Sequence, residues 1–322
     1  MLALGHRAQA ESPLRLPEGV PDLGFGFNVS TRVPRAAFWP PFRPEHARAI
    51  RAAGFHHVRL RMEVMQHADP EPPYRIAPEF FEANDEAVRG YLAAGLKIVL
   101  CLAGDDYEKD PANDTRVAEW WRQLAAWYRR VPDEDMVFDL LVEPNHALDD
   151  IAVLNRWHVS LTAAVRETNP RRTLIYSPGR FSHPVLFDRM VIPEAAGEQW
   201  LAGFNVLGHW DETPTSPNRR ESFQRARFEQ RFAQAARYQR RTGRPVYLAA
   251  WGCFGEGSDA TRLPVTRAQA DLIRKHDVRM ASYIAFHHVY EARAEPRWTR
   301  PDVLAVLQGL LIVDRPAAGP GP

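Results

Sequence analysis

Several residues in this chain are of types that do chemistry and sit where short apolar runs end. Arg59 and Arg61 lie two residues apart in His57-Val58-Arg59-Leu60-Arg61. In a strand that spacing points both guanidinium groups to one side. Glu143 and Asn145 follow the run Phe138–Val142, and His209, Trp210 and Trp251 close two later runs. Trp210, Trp251 and Trp39 are candidates for stacking on sugar rings, with core packing as the alternative. His209, His287 and His288, together with Glu143 or Asp105, contain the donor types that divalent metals take. Their spacing matches no metal motif, so hydrogen-bonded histidines are the simpler reading and no metal is assigned.

Positioning such groups on one surface requires a scaffold with many parallel strand ends. Runs rich in β-formers alternate with longer helical patterns along the whole chain. Strands are expected at Gly24–Asn28, His57–Met62, Lys97–Leu102, Val137–Leu141, Thr173–Ser177, Phe204–Leu207, Pro245–Ala249 and Ala281–Phe286. Helices are expected near Pro44–Ala53, Pro78–Ala94, Asp114–Arg130, Ile151–Asn169, Ser222–Thr242, Arg267–His276 and Pro301–Leu311, with a short, weakly helical crossover around Pro184–Glu194. Pro44-Glu45 and Pro78-Glu79 suit first helical turns, and Gly54 and Gly95 suit C-terminal caps. Eight strands with seven or eight crossovers predict a single-domain (β/α)8 TIM barrel over residues 23–314. An extension, 1–22, precedes it and a tail, 315–322, follows it. An open doubly wound sheet would want a phosphate loop, and no G-x-G-x-x-G or P-loop is present. No cofactor is expected.

Composition narrows the partners. The chain has 322 residues, 45% hydrophobic and 25% charged, with a formal net charge of +1 and nine tryptophans. That near-neutral balance, with no Lys/Arg run, argues against a nucleic-acid partner. No apolar run reaches the roughly 20 residues a membrane-spanning helix needs. Cys101 and Cys253 fit neither a disulfide framework nor a zinc site and read as buried thiols. Ala8-Gln9-Ala10 looks like the end of a secretory signal, although only Met1–Gly5 precede it as an apolar stretch. The expectation is a secreted or periplasmic protein with a truncated signal.

Three segments carry a resemblance to glycoside hydrolase family 5, the cellulase family. Ala53-Gly54-Phe55-His56-His57-Val58-Arg59 resembles its A-G-F-x-x-V-R, Leu141-Val142-Glu143-Pro144 its L-N-E-P, and Arg244–Gly252 its R-P-[IV]-[YF]-[LI]-G-E-[FW]-G. Pro73-Tyr74-Arg75-Ile76 and Ser258-Asp259-Ala260-Thr261-Arg262 are smaller echoes, and the match is collinear from Gly24 to Leu311. The resemblance implies a barrel whose cleft takes β-linked oligosaccharides or polysaccharides. It also implies that Glu143 is the general acid/base and that Arg59 lies beneath the nucleophile.

The departures bear on activity. Ala250 stands where the family has its nucleophilic glutamate, Val142 where it has an asparagine for the sugar 2-hydroxyl, and Ala103-Gly104 where it has two histidines. Retaining hydrolysis needs two carboxyl groups about 5–5.5 Å apart, and a methyl group cannot attack an anomeric carbon. The expectation is therefore a saccharide-binding homologue without retaining activity, with Arg59, Arg61, Asn145, His209, Trp210 and Trp251 as ligand contacts. Two rivals remain. One is a working glycosidase or transglycosylase that pairs Glu143 with a relocated acid (Asp105, Asp106, Asp211, Glu212 or Glu256) or a metal. The other is a protein-binding scaffold. With the nucleophile absent, Arg59 is expected to pair with Glu143 or Glu63.

Overall fold

The structure is a computed structural model and describes residues 14–30, 40–103, 107–209, 225–254, 259–292 and 295–312. Eight parallel strands close into a barrel in chain order: β1 (Phe25–Ser30), β2 (His57–Met62), β3 (Lys97–Leu102), β4 (Met136–Asp139), β5 (Leu174–Tyr176), β6 (Trp200–His209), β7 (Val246–Phe254) and β8 (Met280–Tyr283). The expected (β/α)8 barrel is thus the fold. Alternation along β2 shows why these residues form it. Val58, Leu60 and Met62 join the apolar layer beneath the helices, while His57 and Arg59 bond to groups from other strands across the barrel.

Two inner layers define the axis. At the floor, Val99, Val137, Ile175, Leu201, Tyr247 and Met280 meet with Val20 and Leu23, which arrive from ahead of β1. Filling the interior with side chains from successive strands makes such a barrel a packed core, not a pore. Beside this floor lies a buried polar knot. His57 Nδ1 donates to the Leu23 carbonyl at 2.8 Å, which leaves Nε2 of the neutral ring to accept from Ser282 Oγ at 2.7 Å or Tyr247 Oη at 3.1 Å.

The helices follow their expected bounds closely, ending one to three residues early at Ala52, Ala93, Tyr128, Arg166 and Gly309. The larger differences have local causes. The helix Asp259–Lys275 begins well before the expected Arg267, because Pro264 is accommodated within it and does not start it. β6 and β7 both run past their expected ends, through the glycines and small residues that blur their pattern. The fifth crossover contains the 3₁₀ turns Pro184–Arg189 and Glu194–Ala196, each entered by a proline.

Cys101 and Cys253 are buried free thiols, as expected, and burial pushes Cys101 up to about 11. Among the described residues no helix is long and apolar enough to cross a membrane.

Burial also holds two histidines neutral. Desolvation lowers His57 to about 3 and His158 to about 3. A histidine whose folded value lies below its unfolded value stabilises the fold fully above about pH 6.5 and loses that contribution as pH falls towards the folded value. Each ring should therefore cost on the order of 3 kcal/mol of stability between pH 7 and pH 4. Urea unfolding across that range should show a steep decline, and a flat profile would contradict the buried neutral assignment.

Candidate functional site

The polar centre of the barrel is built on Arg59, which is 2% exposed. Its Nε donates to Asp139 Oδ2 at 2.8 Å, its Nη2 lies 2.7 Å from the same oxygen, and its Nη1 donates to Asn28 Oδ1 at 2.9 Å. The expected partners Glu143 and Glu63 are thus replaced by Asp139. The reason is geometric: Asp139 lies on β4 with its carboxylate inside the barrel at the level of Arg59, whereas Glu143 lies four residues further on, beyond the strand. Burial raises the Asp139 carboxyl above the usual carboxylate range, against the pull of Arg59. Burial also opposes the charged guanidinium, but Cys101 and Asp139 outweigh it and hold Arg59 raised. With both groups enclosed, Arg59 is an interior cation and not a ligand contact.

Asn28 passes this constraint to the neighbouring strands. Its Nδ2 lies 3.0 Å from the Ala249 carbonyl and 3.3 Å from that of Tyr283. The Ala249 contact matters because β7 bulges there. Phe204 pairs with Leu248 but Asn205 pairs with Ala250, so Ala249 is an extra residue. On the other side the register shifts between Leu248 and Trp251. The bulge sets Ala250, 2% exposed, beside Asn205.

Asn205 in turn holds Glu143, with Nδ2 donating to Oε1 at 2.9 Å. Glu143 is half-buried and has a left-handed φ of 54°. Its loop is fixed by buried neighbours: Asn145 Nδ2 donates to the Glu143 carbonyl at 2.8 Å, and the Asn145 amide donates to Glu108 Oε2 at 2.7 Å. Glu108 is fully buried. Asn145 therefore shapes the loop that carries Glu143. Around this centre the departures from the family pattern pack together, since Cys101, Ala103 and Val142 form one buried apolar cluster.

The other candidates fall into three groups. Trp251 is 1% exposed and packs edge-on against Tyr283 at 5.2 Å, so it is core and not a stacking platform. Trp120, Trp121 and Trp157 are buried in the core as well. Arg61 is half-buried next to Cys101 in the strand register. Trp39, Trp210, Asp105, Asp106, Asp211, Glu212 and Glu256 lie outside the described residues, as does the side chain of His209.

His287 and His288 face each other with ring centroids 4.6 Å apart. Burial first, then Arg262 and His287, push His288 down to about 2. Among the described residues no group of three His, Cys, Asp or Glu could hold a metal ion.

Sequence reasoning missed Asn28, Glu108, Asp139 and Asn205. Asp139 was accessible to it, because it closes β4, the strand that leads into Glu143. Asn205 and Glu108 carry no spacing signal that distinguishes them.

The fold and this centre define a (β/α)8 barrel with its polar groups gathered around the C-terminal ends of its strands, where barrel enzymes keep their sites. A model of the cellulase family, glycosyl hydrolase family 5, matches residues 25–285, and the chain belongs to that family. Endoglucanase H of Acetivibrio thermocellus is 24% identical over 182 residues, covering 55% of this chain but only 20% of that protein. The chain thus spans about a fifth of the curated relative it matches. Among solved structures, Cel5A of Thermotoga maritima in complex with mannotriose aligns with a TM-score of 0.79 at 21% identity, over 90% of this chain and 99% of that one. The cellulose synthase subunit Z (CcsZ) of Clostridioides difficile aligns with a TM-score of 0.73 at 20% identity, over 88% and 99%. At these identities the likeness shows the fold alone.

The Arg59–Asp139 pair gives a direct test. Arg59→Met should destabilise the barrel by about 3–5 kcal/mol, because Asp139 is left buried without its cation. Adding Asp139→Leu should recover much of that loss. Urea unfolding of the single and double variants measures both, and a single-variant loss below about 1 kcal/mol would be the behaviour of an exposed pair and would contradict the geometry.

Proposed function

We propose that this family 5 barrel binds a β-linked saccharide over the C-terminal ends of its strands and has no retaining glycosidase activity. The observation that carries the reading is the bulge on β7. It puts the Ala250 methyl beside Asn205, which holds Glu143, at the position that family resemblance gives to the nucleophile. Without a second carboxylate there, no glycosyl–enzyme bond can form by the family's route. The Cys101–Ala103–Val142 cluster supports the same reading, because three positions at the mouth are apolar together. Glu143, by contrast, keeps a defined orientation, which suits a cleft that still bonds a ligand. Asn145, Arg61, His209 and Trp210 are proposed to shape or line that cleft.

A second reading, a glycosidase or transglycosylase that uses Glu143 with an acid elsewhere, draws on the same Asn205–Glu143 bond. An inverting pair stands roughly 6.5–9.5 Å apart, so a partner acid would approach from a loop.

Incubation of the purified protein with soluble β-glucans, followed by NMR of the anomeric protons, should give no retained product. Retained turnover would overturn the proposal, and inverted product would select the second reading. Ala250→Glu should remain well below the activity of a family enzyme, because Val142 and Ala103 still leave the neighbouring sugar contacts missing. Full recovery in that variant would show those positions to be dispensable.

A further inference from the structure

The segment after β5 leaves ordinary backbone conformation in a way the cleft described so far does not use. Arg180, Phe181 and Ser182 follow one another with φ of 57°, 58° and 58°, and the first two have ψ of 49° and 47°. Residues with a Cβ enter this left-handed region singly and reluctantly, and three in succession without glycine or asparagine are strained. Such backbone persists only where its surroundings over-determine it.

The surroundings here do so. Phe181 N donates to the Pro144 carbonyl at 3.0 Å, Arg180 N to Asp149 Oδ1 at 2.6 Å, and His183 N to the Gly179 carbonyl at 3.1 Å. Gly179 is pressed so closely on the loop before it that a Cβ would lie 2.5 Å from the Leu148 carbonyl oxygen. The strained turn is thus clamped to Pro144, the residue after Glu143.

What the turn presents is an aromatic ring in solvent. Phe181 is 53% exposed, although Gly179 and Ser182 on either side of the turn are buried. The exposed Arg180 side chain makes no hydrogen bond or ion pair with a described residue. A ring face accepts the apolar C–H surface of a pyranose, and a guanidinium offers five donors in a planar fork that can reach paired hydroxyls. The Asp149 carboxylate, held on the Arg180 backbone amide, puts a negative charge at the same turn, which favours a neutral sugar over an acidic one.

We infer that Arg180 and Phe181 form a rim subsite that grips one neutral ring of a β-linked glucan running past Glu143. The inference rests on the saccharide reading of the cleft and adds a part of the molecule that holds the chain.

Calorimetric titration of the full chain with cellohexaose tests it. Phe181→Asn removes the ring while keeping a residue that tolerates left-handed backbone. It should weaken binding about tenfold, equivalent to about 1.4 kcal/mol. Phe181→Tyr should bind as wild type does, and Arg180→Asn should weaken binding severalfold at both low and high salt. Thermal unfolding of Phe181→Asn should be no lower than wild type, so that lost affinity cannot be traced to lost fold. Equal binding by wild type and Phe181→Asn overturns the rim subsite and leaves the saccharide reading standing. Failure of the wild-type protein to bind cellohexaose overturns both.

Discussion

A buried arginine cannot be left without a counter-charge, and the centre of this barrel is arranged around meeting that demand. Arg59 is satisfied on one side by Asp139 from β4 and on the other by Asn28 from β1. Taking a charge out of water costs several kcal/mol unless a partner and further hydrogen bonds replace the lost hydration. Asn28 then donates its amide to carbonyls of β8, which pairs with β1, and of β7, the next strand round the barrel. The ion pair and its amide neighbour therefore tie five strands together, β1, β2, β4, β7 and β8. The register shift at Ala249 is part of the same arrangement, because the extra residue's carbonyl is what Asn28 bonds.

That dependence separates the scaffold of the site from its chemistry. The cation, its amide neighbour and the bulge are all in place with an alanine at position 250. Asp139 supplies the negative charge from deeper in the barrel, where it is wholly enclosed and beyond reach of a substrate. The interior electrostatics are thus closed without any residue at the mouth. Substitution at Ala250 leaves the pair untouched, which explains how an alanine can be accommodated there without an unpaired charge. The same reasoning covers Val142 and Ala103. Packing them with Cys101 removes apolar surface from water and leaves no buried donor stranded.

The fold was largely legible because strand and helix periods write themselves into residue types. β2 and β3 were readable to the residue, since His57–Met62 alternates and Lys97–Leu102 is a continuous apolar run. β6 and β7 were read too short, because Gly203, Asn205, Gly208 and a bulge interrupt the pattern that periodicity detects. The site was legible where it depends on a contiguous motif, as with Glu143, Asn145 and Ala250. It was not legible where it depends on distance across the barrel. Arg59 was given Glu143 or Glu63 as a partner because both stand near strand ends in sequence, whereas the height of each side chain along the axis decides the pairing. Trp251 misled for a related reason: strand position says which residues lie near the mouth, but not whether a ring is covered by Tyr283.

The loop that carries Glu143 bears on whether the barrel mouth still serves a ligand. Glu143 and His146 both hold left-handed backbone, and the turn 180–182 adds further strain against the same loop. Each such residue costs of order 1–3 kcal/mol unless its neighbours compel it. Here Glu108 and Asp149 supply the compulsion by accepting from backbone amides, and Asn145 by donating to the Glu143 carbonyl. A closed scaffold would need neither the strain nor a fully buried carboxylate whose bond to an amide fixes the residue two beyond Glu143. Maintaining both keeps one half-buried acid oriented and one aromatic ring in solvent on the turn bonded to Pro144. That combination supports the proposal of a cleft shaped to hold a chain across its mouth.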